Sequence, residues 1–300
     1  MKADFDVIIV GGSYAGLSAA MALGRAIRNV LVLDSGKPCN RQTPHAHNLL
    51  THDGHKPADI AQQALQQVLN YPTIRIKKGI ATKASRDENL FKIETDKGQT
   101  FTTRKLLFAT GIVDTMPEIP GFADCWGISV LHCPYCHGYE VRNEPTAIFA
   151  NGEAAYEFSK IINNWTKELT LLTNGPSQLT MQQTADLHRH RIIINEKPLQ
   201  QVVHDGGYIR EVHFTDGTSL SINAMYAKLA FEQQCGLPKA LGCEFTEAGF
   251  IKIDDMQQTS VNGVFAAGDN TTMFRSLSIA IAAGNRAGAL INHQLIQEDF

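Results

Sequence analysis

Apolar residues gather in short solid runs. Val7-Ile8-Ile9-Val10 and Val30-Leu31-Val32-Leu33 each run unbroken, and Leu106-Leu107-Phe108 leads into Ala109-Thr110-Gly111. Runs of this length suit strands buried on both faces, as in a parallel sheet covered by helices. Between the first two lies an Ala- and Leu-rich stretch, 17–28, that reads as a helix. The turn into it is Gly11-Gly12-Ser13-Tyr14-Ala15-Gly16, and the second strand ends on Asp34. Strand, glycine turn, helix, strand and acid, with the acid about 20 residues beyond the glycines, is the dinucleotide-binding pattern. Gly11 permits the tight turn and Gly16 close helix–strand packing. The helix N-terminus offers N–H groups to a pyrophosphate, and Asp34 accepts from ribose hydroxyls. Ser13 stands where the pattern usually has its second glycine.

The pattern recurs. Thr146-Ala147-Ile148-Phe149 reads as a strand, Ala150-Asn151-Gly152 as its turn, then a helix to about Trp165 and a strand at Leu169-Thr170-Leu171-Leu172. The segment Gly263-Val264-Phe265-Ala266-Ala267-Gly268-Asp269 lies near the end. With the first glycine turn and Ala109-Thr110-Gly111, it suggests a flavin domain split in sequence. The expected fold class is therefore α/β, with two Rossmann-like domains: a split FAD domain and an inserted NAD(P)H-like domain. Pro117, Pro120 and Gly121 mark one crossing, and Gly236, Pro238 and Gly242 the other. The expected boundaries are 1–115 and 237–300 for the FAD domain and 116–236 for the insert.

Composition narrows the class. The chain has 300 residues, 43% of them apolar, enough for two cores, and a net charge of −3 that signals no basic face for nucleic acid. The N-terminal apolar run is too short for a signal peptide and follows two aspartates. The apolar-leaning stretch 276–291 is broken by Asn285 and Arg286. No membrane span and a cytoplasmic location are expected. Six cysteines are too few for a disulfide scaffold.

Taken together, the 11–16 turn, Ala109-Thr110-Gly111, the Cys133/Cys136 pair before the second unit, and Gly268-Asp269 followed by Arg275 resemble the low-molecular-weight thioredoxin reductase family over essentially the whole chain. The resemblance implies FAD as cofactor, a thiol or disulfide substrate and a homodimer. It implies that Gly268 and Asp269 hold the ribityl–pyrophosphate region. Arg275, Ser276 and Leu277 would begin a last helix aimed at the flavin's pyrimidine end, where its partial positive charge favours reduced flavin. Ala81 falls where backbone usually meets adenine, and Arg41 and His47 in the loop that approaches the isoalloxazine. His45, His47, His52 and His55 cluster there, but no cysteine or carboxylate set complements them, and no metal is expected.

The motif His132-Cys133-Pro134-Tyr135-Cys136-His137 admits several readings. Zinc sites usually combine two separated ligand pairs, and no second pair exists. A glutaredoxin-like carrier would place its CxxC after a first strand in a chain of its own. A redox disulfide at a helix start, its thiol acidified by the helix end, suits the context. By resemblance Cys136 faces the flavin and Cys133 meets the substrate. Thioredoxin reductases carry an Asp after the second cysteine as a general acid. His137 stands there, as in the gliotoxin-type dithiol oxidases, and can do acid–base work near neutrality, with His132 as a second candidate.

Use of NADPH is doubtful. Ala150 replaces the first glycine of the second turn and crowds a pyrophosphate. Leu172-Thr173-Asn174-Gly175 has neither an arginine cluster for a 2′-phosphate nor an acid for NAD, although Arg189 and Arg191 lie further on. The expected activity is an FAD-dependent thiol–disulfide oxidoreductase with weak or no NADPH use, acting as a dithiol oxidase with oxygen as acceptor. The competing readings are an NADPH-dependent thioredoxin reductase acting on a thioredoxin-like protein and a non-enzymatic flavin-binding regulator. The regulator would leave the CxxC without a purpose.

Overall fold

A computed structural model describes residues 3–300. Along the chain run β1 (Phe5–Val10), α1 (Tyr14–Arg25), β2 (Val30–Asp34), α2 (Pro57–Leu69), β3 (Ile74–Lys78), β4 (Ala81–Asp87), β5 (Leu90–Thr95), β6 (Thr100–Phe108) and β7 (Ile112–Asp114). Next come α3 (Phe122–Cys125), β8 (Val130–Leu131), α4 (Pro134–His137), β9 (Thr146–Phe149), α5 (Gly152–Ile162), β10 (Leu169–Leu172), α6 (Met181–Arg189) and β11 (Ile193–Asn195). Then follow β12 (Leu199–Asp205), β13 (Tyr208–Phe214), β14 (Ser219–Ser221), β15 (Ala224–Ala227), β16 (Phe231–Gln233), α7 (Leu237–Ala240), β17 (Val264–Ala266) and α8 (Leu277–Asp299).

The chain divides into two compact units. The first comprises the described residues to Arg41, then His55–Val113 and Phe231–Phe300. Its strands stand in the order β3-β2-β1-β6, all parallel, with β17 parallel to the later half of β6. The antiparallel pair β4 and β5 adds to the earlier half of β6. The apolar runs seen in the sequence are these central strands, and Val7, Ile8, Ile9, Leu106, Leu107 and Phe108 are fully buried. Helix α1 packs on the sheet and against α8. A methyl added at Gly284 would fall 2.0 Å from the Ala15 carbonyl oxygen, and one at Gly288 2.7 Å from that of Ala19. The two backbones therefore meet with no side chain between them, and Ser18 Oγ donates to the Ile281 carbonyl at 2.7 Å across the seam.

The second unit holds the five-stranded parallel sheet β11-β10-β9-β15-β8 and the antiparallel sheet β12-β13-β14. Strand, turn, helix and strand recur here in the same sheet order as in the first unit, so both Rossmann-like units expected from the sequence are present. Phe122, Trp126, Met225, Val212 and Phe214 form one core, and Ile148, Ile162, Leu171 and Tyr226 another.

One segment departs from the sequence order. Gln42–Gly54 belongs with Asp114–Ala230 in the second unit, not with the strand β2 that it follows. It carries its own hydrogen bonds: Gly54 N–H to the Ala46 carbonyl at 2.8 Å, and Asn48 N–H to Asp53 Oδ1 at 2.7 Å. Among the described residues, no helix is long and apolar enough to cross a membrane.

Candidate active site

In the first unit the glycine turn is a backbone cradle. Gly11 has φ +106°, and a methyl there would fall 2.2 Å from the Ala109 carbonyl oxygen at the end of β6. A methyl at Gly16 would fall 1.9 Å from the Gly11 oxygen. The turn thus runs hard against the Ala109-Thr110-Gly111 strand end. Ser13 stands at the N-cap of α1, but its side chain makes no capping bond, and the first turn holds no acid. The N–H groups there remain open to an anion. Asp34 Oδ1 accepts from Gly12 N–H and Oδ2 from Gly36 N–H, each at 3.1 Å, which fixes the carboxylate at the strand end. The Tyr14 hydroxyl donates to the Pro57 carbonyl at 2.9 Å, and burial pushes its pKa up. Tyr14 is therefore an anchor for α1.

The other expected flavin residues of this unit lie on neighbouring strand ends. Ala81 opens β4, and the preceding Gly79 N–H bonds to the Asp34 carbonyl at 2.9 Å. Gly268 and Asp269 follow β17, and Asp269 faces Arg275 at 3.9 Å. Ser276 caps α8 by accepting from Ile279 N–H at 3.3 Å, and Leu277 begins the helix. Arg41 is exposed and bonds to the Pro38 carbonyl at 3.3 Å. Asn270 was not singled out from the sequence, although it adjoins Gly268 and Asp269. It is fully buried, and its Nδ2 donates to the Phe108 carbonyl at 2.9 Å. Its Oδ1 has no hydrogen-bond partner, an orphan acceptor beside the cradle. An open helix N-terminus, a methyl-free turn, a held carboxylate and this orphan fit a dinucleotide such as FAD.

The second unit carries the cysteines. Cys133 and Cys136 form a disulfide. The expected helix is a single turn, α4, with Cys133 at its N-cap and Pro134 at its first position. Pro134 suits that place because the first helical N–H has no intrahelical partner. Gly138 closes the turn, its N–H bonded to the Pro134 carbonyl at 2.7 Å. A methyl at Gly138 would fall 2.8 Å from Trp165 Nε1. Tyr135 is exposed and stands edge-on to Trp165, with ring centroids 5.5 Å apart. His132 packs beside Trp126 at 6.0 Å.

His137 is half-buried, and its pKa is lowered to about 4, first by burial and then by repulsion from His47. At neutral pH its ring is therefore uncharged, with no proton to give as an imidazolium, and its affinity for a proton is lower than that of an ordinary imidazole. His47, expected near the isoalloxazine, packs in the second unit against His137, with ring centroids 6.4 Å apart. Its neighbour Glu140 lies 3.5 Å from His47 Nδ1. Nothing in the spacing of residues 47, 137 and 140 signals this meeting. Burial pushes the thiols of Cys125 (to about 11), Cys235 and Cys243 up, which disfavours their reactive thiolate forms.

The second glycine turn is built differently from the first. Asn151 caps α5 with its own side chain: Oδ1 accepts from Gly152 N–H at 2.8 Å and from Gln178 N–H at 2.9 Å. Its Nδ2 donates to the carbonyls of Thr173 at 3.3 Å and Pro176 at 3.0 Å. The loop after β10 is thus strapped to the turn, and Glu153 adds an acid to the first helical turn. Helix α6 runs from the carboxyl end of β10 back to the start of β11. Arg189, paired with Asp186, and Arg191 therefore lie at the amino edge of the sheet, away from the edge where such sheets bind nucleotides.

This architecture is that of the pyridine nucleotide-disulphide oxidoreductases. The chain belongs to that family, whose model matches residues 5–284. It is similar to the thioredoxin reductase tcpT of Claviceps purpurea (strain 20.1), with 33% identity over 304 residues, 98% of this chain and 95% of that protein. The thioredoxin reductase sirT of Leptosphaeria maculans is 31% identical over 315 residues, covering 99% and 96%. Among solved structures, the oxidoreductase from Agrobacterium tumefaciens superposes with a TM-score of 0.91 at 34% identity, covering 99% of each chain. The protein is a flavin-dependent oxidoreductase of the thioredoxin reductase class.

Proposed function

We propose that the protein is an FAD-dependent thiol–disulfide oxidoreductase that runs toward oxidation of a dithiol, in the manner of the gliotoxin-type dithiol oxidases. Oxygen is the terminal acceptor, and NADPH has little or no role. The observation that supports this direction is His137, directly after Cys136 of the disulfide in sequence and uncharged at neutral pH, where disulfide reduction would want a proton donor. A dithiol attacks a disulfide as its thiolate, so the step needs a base. That proton passes to solvent, with the uncharged His137 ring holding it only in transit. The substrate thiolate bonds to Cys133 Sγ, the disulfide breaks, and Cys136 leaves as a thiolate. The second substrate thiol, once deprotonated, attacks the first substrate sulfur and expels Cys133. The substrate departs as a disulfide, and its two electrons remain on the cysteine pair. His132, beside Trp126, is the second candidate for moving a proton at this site.

The residues that would hold FAD are Gly11, Ser13, Tyr14, Ala15, Gly16, Asp34, Ala81, Ala109, Thr110, Gly111, Gly268, Asp269, Arg275, Ser276 and Leu277, with Asn270 added. When bound, FAD supplies a two-electron acceptor for the reduced cysteines. The strapped second turn supports weak NADPH use: the Asn151 amide takes up the Gly152 N–H, and Glu153 adds a negative charge to the first turn of the helix, where the first unit has neither. The substrate is a dithiol of small-molecule or thioredoxin-like protein type, and the working form is a cytoplasmic homodimer. A second reading, an NADPH-dependent thioredoxin reductase, is favoured by the names of the relatives and by Gly152, which keeps the positive φ of +64° of a nucleotide turn.

The test mixes the purified flavoprotein anaerobically with NADPH or with dithiothreitol and follows the visible flavin absorbance. Bleaching by dithiothreitol, then hydrogen peroxide on admitting air, is the expected result. Prompt bleaching by NADPH would establish the second reading instead.

A further inference from the structure

His137 meets its surroundings through few charged groups. On its own element stands the disulfide, with Glu140 just beyond. From the Gln42–Gly54 loop comes His47, edge-on at an interplanar angle of 86°. His47 in turn faces Glu140 Oε1 at 3.5 Å and Asp53 Oδ1 at 3.7 Å, and the His45 ring lies 6.4 Å away. Neither carboxylate contact is a formed hydrogen bond, since the buried Nδ1 of His47 has no hydrogen-bond partner. From β15, the buried Tyr226 hydroxyl also feels Glu140, although burial is the larger cause of its raised pKa. Asp53 is held by Asn48 N–H, so the loop presents a built face to α4.

We propose that His47 is a positioning residue for His137: it fixes the plane of that ring by edge-to-face packing and governs the charge that the ring can carry. The inference rests on the reading of His137 as the base at the disulfide. Aromatic rings prefer such edge-on contacts, which resist rotation. A charge on His47 opposes a second charge on His137, because like charges in a partly buried site disfavour each other. His47 thereby keeps the His137 ring uncharged at neutral pH, at the expense of its strength as a base. It also speeds the return of the substrate's proton once the imidazolium has formed.

The experiment uses the FAD-loaded protein with His47→Gln, which removes the charge, and His47→Lys, which keeps one. Leu50→Ala, at the exposed tip of the same loop, is the control. Two quantities are read: the NMR titration of the His137 ring, assigned with His137→Gln, and the acid limb of dithiothreitol-driven bleaching. For H47Q, both midpoints should rise by roughly one pH unit, the order expected for unit charges a few ångströms apart at intermediate dielectric. H47K and L50A should keep the low midpoint. A His137 titration unmoved in H47Q overturns the proposal, even where H137Q slows bleaching. If H137Q bleaches like the wild type at every pH, the base reading itself falls, whatever the titration of H47Q shows.

Discussion

At the disulfide, the proposed chemistry rests on two side chains, Cys136 and His137. Cys136→Ser removes the sulfur assigned to exchange with the flavin. Dithiothreitol should then fail to bleach the flavin, while the visible spectrum of bound FAD persists. His137→Gln keeps a polar side chain but no base. The second-order rate with dithiothreitol should fall, but by less than the roughly 10²–10⁴ of a proton-transfer group whose pKa lies near the working pH. His137 also links stability to pH. Its folded value of about 4 lies below its ordinary 6.5, so the unfolded chain binds more protons between those values. Stability should therefore be full above pH 6.5 and fall as the pH drops toward 4, with H137Q losing that part of the slope in urea titrations.

At the level of elements, the seam between α1 and α8 and the two glycine turns tolerate the least change. Gly284→Ala puts a methyl where the Ala15 carbonyl already lies, so the helices must separate. A cost of about 1–3 kcal/mol is expected by denaturant titration, as for other overpacked sites. FAD affinity should drop with it, because Ala15 belongs to the first turn of α1. Asn151→Ala removes the cap of α5 together with its bonds to the loop 173–178. A loss of about 1 kcal/mol is expected, with faster amide exchange confined to that loop and the start of α5. These predictions separate the two turns, one open at its helix end and one closed by its own side chain.

For the whole molecule, the two units should respond differently to nucleotides. On the proposed assignment FAD binds the first unit, and only when it is folded, so excess FAD should stabilise that unit by about 2.7 kcal/mol at one hundred times its dissociation constant. Calorimetry should show the corresponding transition move up, and the same concentration of NADPH should move neither transition.

Much of this molecule is readable from its residues in order. Buried parallel strands need unbroken apolar runs, and a chain turning tightly from strand to helix needs Gly11 and Gly16. Those are local demands, so the central strands, both Rossmann-like units and the Cys133/Cys136 pair are legible without coordinates. His47 beside His137, Asn151 strapping the 173–178 loop, and the side-chain-free seam at Gly284 are different in kind. Each joins groups remote in sequence or depends on the direction in which one polar side chain turns, and hydrophobic periodicity records neither. The folded chain alone decided that a loop leaving β2 would supply the neighbour of His137, because packing, not sequence distance, sets which charges share a partly buried space.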